Sequence, residues 1–541
     1  DNDTVNNAVI QGSGNVIADA ALRVGANAIA TANAQVIGID YGAASVAGSF
    51  AVALLRGEQR AAISGGDIKA GSLEVVSRLN DNASESSVAK LFTGSGGLIT
   101  VGANVAVAYG RSRSLAEINA ASVNITGTSG SIKVGSYGAA GVLSEIKHIS
   151  LSLASITANA MVGVAYSQAT FAAALTIPQG STVTAASVDI ETLYTTSAKA
   201  DVTPSAGGVQ TSLATIGVNL ALANAGSDAS ALLNGKGILS AGSVKVNADG
   251  TATAHALTRT PTISVNIANI AANTVVAILS ASQEAGIEGV TINTSGDGEV
   301  KSTFNNGEKE GAIAELGGHF ASAGLDMSLY SVDVNTAVAK NKASNRAYIN
   351  GAVIGSVDNR AGNVSVLADG SSYANAKIED SAISVGLLSV GLTILYADAS
   401  GDFKAYIDTT GGAVYAASIL VDNDYTAKAN AETTQAAGGV TVEAVDIEGN
   451  IATSVVTTNA EAAIKGNGTI STTETIQVDA NGIADALSGV MTPTVSLSGI
   501  KIAANILTSK LAAVQKAYIE NVTITNAGDV TVISTLNNAS E

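Results

Sequence analysis

Few residues of this 541-residue chain could do chemistry, and they are dispersed. The histidines are His148, His255 and His319. They fall at unequal phases of the repeat described below, so no histidine pair is expected to meet. Acid pairs exist at Glu308 and Glu310 and at Asp422 and Asp424. Carbohydrate-cleaving solenoids need carboxylates and basic groups converging on one face to move protons. Here only Lys309 accompanies the first pair, and solvated turns account for both. Asp422-Asn423-Asp424 and Asp1-Asn2-Asp3 offer oxygen ligands suited to calcium, but the GGxGxD calcium nonapeptide is absent. No HExxH, GxSxG or phosphate-binding loop occurs. With zero cysteines, thiolate metal sites, disulfides and cysteine nucleophiles are excluded. The expected catalytic, cofactor-binding and metal residues are therefore none, with Asp422 and Asp424 as weak calcium candidates.

Composition narrows the partners. A formal net charge of −18 excludes nucleic-acid binding of the usual basic kind. The uncharged reach 149–188 is broken by Ser, Thr, Asn, Gln and Pro178, and a membrane span of about 20 mainly apolar residues is not found. With 57 Gly, 4 Pro, 6 Phe and 3 Met, the chain lacks the bulky side chains of an ordinary compact core. Small β-tolerant residues suit thin, closely packed sheets.

What must position any site is a repeat. The module Arg346–Ala374, RAYINGAVIGSVDNRAGNVSVLADGSSYA, returns from Lys404 and from Lys516, with weaker copies from Arg60 and Ser230. The last residue of each apolar tripeptide serves as an anchor: Ile10, Ile63, Ile118, Leu175, Leu233, Ile287, Ile349, Ile407, Ile464 and Ile519. The intervals are 53, 55, 57, 58, 54, 62, 58, 57 and 55 residues. Similar units at a nearly constant period stack into one elongated body instead of separate domains, so residues 1–541 read as one continuous array.

Alternation assigns the elements. Val244, Val246, Ala248, Gly250, Ala252, Ala254 and Ala256 occupy every second position, as do Val364 to Ile378 and Ile476 to Ala486. A second alternating stretch precedes each anchor, such as Leu395, Ala397, Ala399, Gly401, Phe403, Ala405 and Ile407. Period two sustained this long means strand. Between the two lies a more apolar segment, such as Ile383 to Val390. Each unit reads as a short strand, a turn, a long strand, a Gly-rich corner and another long strand. Stacked, they predict an all-β, parallel β-solenoid of about ten repeats of roughly 57 residues. The lack of self-similarity inside a unit favours one large, flattened coil; three coils of roughly nineteen residues would also divide the period.

Two columns and two ends complete the reading. Ile349, Ile407, Ile464 and Ile519 should stack as a buried column. Tyr348, Tyr406 and Tyr518 share a second, interrupted by Ala463, which is a partial stacking ladder or, if exposed, a sugar-binding stripe. The insertion Phe304 to Gly311 is expected as an outer loop. No polar cap is recognisable at either end. The expectation is that neighbouring copies cover the ends, through Val5 and Ile10 on one side and Val530 and Val532 on the other, or that further units of a longer chain do.

The cadence A-Y-I-x(n)-A-G-x-V-x-V-x-A, followed by Ala/Thr-rich alternation and a Val/Gly-rich strand, resembles the repeats of very long bacterial surface adhesins, the leukotoxin-type and filamentous-haemagglutinin-like proteins. The resemblance covers essentially the whole chain as a style of repeat. It implies an exported β-solenoid stalk or fibre at the cell surface, structural or adhesive, engaged in attachment, cell–cell contact or biofilm, with host or cell-surface glycans as possible ligands. The rival expectation is a carbohydrate-active β-helix enzyme or glycan-binding module.

Overall fold

A computed structural model describes the chain except residues 1, 82–84, 128, 151–154, 205–208, 260–262, 307–310, 318–324, 381–382, 436–439, 492–494 and 538–541. Among the described residues there is no helix. Ten strands pair in parallel, in chain order, as one sheet: Asn2–Gln11, Ala44–Ser64, Ile99–Asn119, Ile156–Ile177, Val209–Gly235, Ile263–Glu288, Leu325–Asn350, Ile383–Asp408, Val440–Lys465 and Val495–Glu520. The remaining strands, such as Thr182–Thr203, Ile238–Arg259, Ala361–Asp380, Ala413–Gln435 and Ile476–Val490, form a facing parallel ladder.

The register settles the coil. Ile10 pairs with Ile63, Ile63 with Ile118, Ile118 with Leu175, Leu175 with Leu233 and Leu233 with Ile287. Ile287 pairs with Ile349, and the ladder continues through Ile407, Ile464 and Ile519. Each repeat is therefore one flattened coil, and the array is a parallel β-solenoid. We number the coils 1 to 10 by their anchors. The apolar segment from Ile383 and the alternating stretch to Ile407 form one strand, Ile383–Asp408.

Small residues set the spacing of the two layers. The residue two before the anchor is Ala in every coil, from Ala8 to Ala517. Ten before it stand Ala53, Ala108, Ala165, Ala223, Ala277, Ala339 and Ala397, all buried. Ile349, Ile407 and Ile464 are buried as expected, while Ile519, in the last coil, is partly covered. Ala229, Ala231, Ala397 and Ala399 also face the interior. The turn after the anchor needs a left-handed residue: Gly65, Gly289 and Gly351 adopt φ of 79°, 69° and 62°, and Asn521 supplies 58° in coil 10.

The interior carries a second, longer order. Four residues before the anchors, coils 2 to 10 read Gln59, Ser114, Phe171, Ala229, Gln283, Asn345, Phe403, Ala460 and Gln515. On the facing ladder one column reads Leu79, Gly138, Tyr194, Gly250, Phe304, Gly370, Tyr425, Gly482 and Leu536. Both recur every fourth coil; Phe171 to Phe403 and Gln283 to Gln515 are each 232 residues apart. Packing explains the alternation. Phe171 stacks on Tyr194 at 5.3 Å and Phe403 on Tyr425 at 5.4 Å. A Cβ at Gly250 or Gly482 would lie 2.0 or 2.2 Å from the tyrosine ring below. Gln283 then fills the next gap, donating to the carbonyls of Ala248 and Thr303 at 2.9 and 2.8 Å.

In the same coils an asparagine ends the facing strand. Asn80, Asn305 and Asn537 take φ of 54°, 47° and 52°. Their amides pair with both backbone groups of Ala30, Ala252 and Ala484. The side chain continues the ladder where the main chain departs. The outer loop expected at Phe304 to Gly311 is corrected at its start alone: Phe304 and Asn305 are fully buried, because ring and amide plug the interior. Residues 307–310, with Glu308 and Glu310 among them, lie outside the described residues.

Candidate functional site

Among the described residues, the two histidines lie two coils apart. His148 is buried in coil 3, with Thr93 Oγ1 at 2.9 Å from Nδ1 and Ser95 Oγ at 3.1 Å from Nε2; burial pulls its pKa down to about 4. His255, in coil 5, meets Glu315 at 3.3 Å, and the histidine holds that carboxyl below its ordinary range. His319 lies outside the described residues.

On the outer face of the facing sheet, charge is ordered in coils 1 to 6. Arg23, Glu74, Lys133, Asp189, Lys245 and Glu299 form one column of alternating sign. Arg23 and Glu74 approach to 3.1 Å, and Lys245 and Glu299 to 3.5 Å. Coils 7 to 9 break this pattern with like charges, Asp369 beside Asp424 and Asp422 beside Asp479. Burial, with Asp424, Asp479 and Asp369 nearby, pushes Asp422 up to about 6. Among the described residues, no group of three or more His, Cys, Asp or Glu side chains could hold a metal ion. Asp422 and Asp424 are thus two stacked columns of carboxylates, and Asp1 of the other calcium candidate lies outside the described residues.

The tyrosine column is a packing feature. Tyr348 and Tyr406 stack at 5.5 Å and 10°. Tyr348 is buried, its ring lies over Gly286 and its hydroxyl donates to Glu288 at 3.0 Å. Across the Ala463 gap, Tyr518 donates to Glu461 at 2.7 Å.

The largest chemical feature is on the ten-strand sheet, whose outer face changes character along each strand. Near the anchors it is charged, with Arg60 against Glu117 at 3.0 Å and Lys404 against Asp402 at 2.8 Å. From nineteen to eleven residues before the anchors, the outward columns of coils 2 to 10 contain no Asp, Glu, Lys or Arg. They hold instead Val46, Ile216, Ile270, Val332 and Ile502, exposed by 85, 49, 49, 40 and 56%. Two inward columns of the same segment, eighteen and fourteen residues before the anchors, are mainly polar, whereas the column twelve before them is mostly Ala, Val or Leu and packs in the core. Thr100, Thr157, Asn219, Asn273 and Asp446 are buried, and an amide ladder runs from Asn219 to Asn273 at 2.8 Å and on to Asn335 at 3.0 Å. Sequence reasoning missed this inversion.

At the two ends the strand edges of coils 1 and 10 have no partner among the described residues. Val5 is 67% exposed, Val530 48% and Val532 43%, while Ile10 packs partly against the core. No helix among the described residues is long and apolar enough to cross a membrane. Comparison of the chain with protein families, with curated proteins and with solved structures finds no match.

Proposed function

We propose that this chain is a length-giving section of an extracellular bacterial surface fibre or adhesin stalk. The observation that carries the reading is the uninterrupted register: every anchor pairs with the next, from Ile10 to Ile519. Such a ladder transmits length and stiffness, and the described histidines, His148 and His255, lie two coils apart along it. A like coil of another copy can pair with the strand edge that coil 1 or coil 10 presents. A head-to-tail contact of this kind does not close and yields a fibre. The net charge of −18 keeps such rods soluble. The decisive experiment is negative-stain microscopy of the native material at the bacterial surface, with labelled antibody to this chain. Thin fibres carrying the label support the reading. A compact labelled particle with polysaccharide-cleaving activity would overturn it in favour of a solenoid enzyme.

A further inference from the structure

We infer that the uncharged outer stripe of the ten-strand sheet is a lateral interface at which a second copy of this chain lies alongside the first. The inference concerns the side of the rod and is independent of what continues its ends. Nine residues across and nine coils along, the stripe measures roughly 30 by 43 Å from the ordinary strand rise and spacing. That is about 1,300 Å² on each partner, against about 800 Å² in a standard stable interface. Contiguous apolar patches of more than a few hundred Å² are rare on monomeric proteins.

The stripe also specifies its occupant. Its side chains stand in straight columns, such as Ile216, Ile270, Val332 and Val390, repeated at the coil spacing. A second copy presents the same columns at the same spacing, so side chains interdigitate in every coil without a register mismatch. The contact is isologous: the same patch serves both partners, and the pair closes by two-fold symmetry. Charge agrees, because two chains of net charge −18 repel least along a face that carries none. Two of the inward columns there hold mainly Ser, Thr, Asn and Asp, and most of the segment's large apolar side chains stand on the outward face instead.

Sedimentation and light scattering on the whole 541-residue chain test this. The unaltered chain is expected to form a two-rod particle with twice the mass per unit length of one rod. Ile216→Lys, Ile270→Lys and Val332→Lys together bury unpaired charge and should weaken pairing by roughly a hundredfold or more. The control, Thr170→Lys, Ser282→Lys and Ser344→Lys, adds the same charge near the anchors and should leave the pair intact; circular dichroism and melting confirm that both variants fold. Because the chain has no cysteine, single-cysteine variants give a second readout. Ala272→Cys, at the centre of the stripe where a two-fold axis sets it against its own copy, should oxidise to a covalent pair and Ser344→Cys should not. Single rods in the unaltered chain, equal loss of pairing in both triple variants, or linkage through Ser344→Cys alone would overturn the proposal. So would binding of the unaltered chain to lipid vesicles through the stripe without pairing.

Discussion

The two halves of each long strand in the ten-strand sheet share one backbone ladder and differ in almost everything else. Near the anchors, apolar side chains point inward, as with Ala397, Ala405 and Ile407, and charges point outward. Further upstream two of the inward columns are polar and the outward ones apolar: Asn273 and Asp446 are inside, while Ile270 and Ile447 are outside. Hydrophobic burial therefore holds the anchor half. In the upstream half, strand continuity and the stacked amides hold the fold, and the apolar surface remains available. The lesson is that a solenoid ladder fixes where each strand lies, and the side chains on either face can then be assigned to stability or to association.

The largest expected contrast comes from the same truncation in each half. Ile407→Ala removes a buried anchor from a column that cannot collapse and should cost about 2–5 kcal/mol. Val332→Ala, on the exposed stripe, should stay within about 0.5 kcal/mol for the single rod. Denaturant titration with hydrogen exchange reads both; equal costs would show that the upstream half is packed as tightly as the anchor half.

A pH titration isolates the polar interior. Burial lowers His148 to about 4, against an ordinary value near 6.5. Between those values the unfolded chain binds the proton and the folded chain does not. Stability is therefore complete above about 6.5 and falls as pH drops to 4, by about 2–3 kcal/mol. His148→Gln, which can keep partners in Thr93 and Ser95, should remove that part of the acid loss. An unchanged melting profile in the variant would place the acid sensitivity elsewhere.

Overpacking draws the same line more finely. Ala397 is fully buried, so Ala397→Leu should cost about 1–3 kcal/mol. Ala272→Leu, on an outward column of the upstream half, should be close to neutral by thermal melting. A neutral Ala397→Leu would mean that the layers at the anchors have room to part.

How much of this was legible follows from what repeats. The anchors recur as Ile or Leu in every coil, so the period and the parallel stacking could be read from spacing; one large coil or three small ones divided that period equally well, and only the register decides between them. The four-coil order could not be seen at that period: Gly138, Tyr194, Gly250 and Phe304 share a column, yet compared coil against coil they look like degeneracy. Only the stacked rings show that a tyrosine requires a glycine above it. The inverted half was hidden for another reason. Alternation tells which residues share a face and is silent about which face is inside. Reading Val332 and Ile270 as interior would be the ordinary inference, and the buried asparagines opposite overrule it. The reactive candidates were legible only as unconverged, because contacts such as His255 with Glu315 depend on a register across 60 residues.

The smallest expected effect lies on the facing sheet, where charge is stacked instead of absent. Coils 1 to 6 place Arg23, Glu74, Lys133, Asp189, Lys245 and Glu299 in alternation, so each carboxylate has cations in adjacent coils. Asp422 has Asp479 in the next coil and Asp424 two residues along its own strand. Burial and these neighbours raise it to about 6, above the ordinary carboxylate near 3.9. Between those values the folded chain holds the proton and the unfolded chain releases it. Stability from this group is thus present below about pH 4 and is lost as pH rises through 6, opposite in sign to His148. Asp422→Asn should then stabilise the rod at pH 7 by about 1 kcal/mol, after discounting for solvent screening, and should have little effect at pH 4. Glu74→Gln, in the alternating column, should be neutral or mildly destabilising at pH 7, because it removes a partner of Arg23. If both substitutions stabilise equally, net charge alone governs the outer face, and the alternation in coils 1 to 6 contributes nothing to holding the coils together.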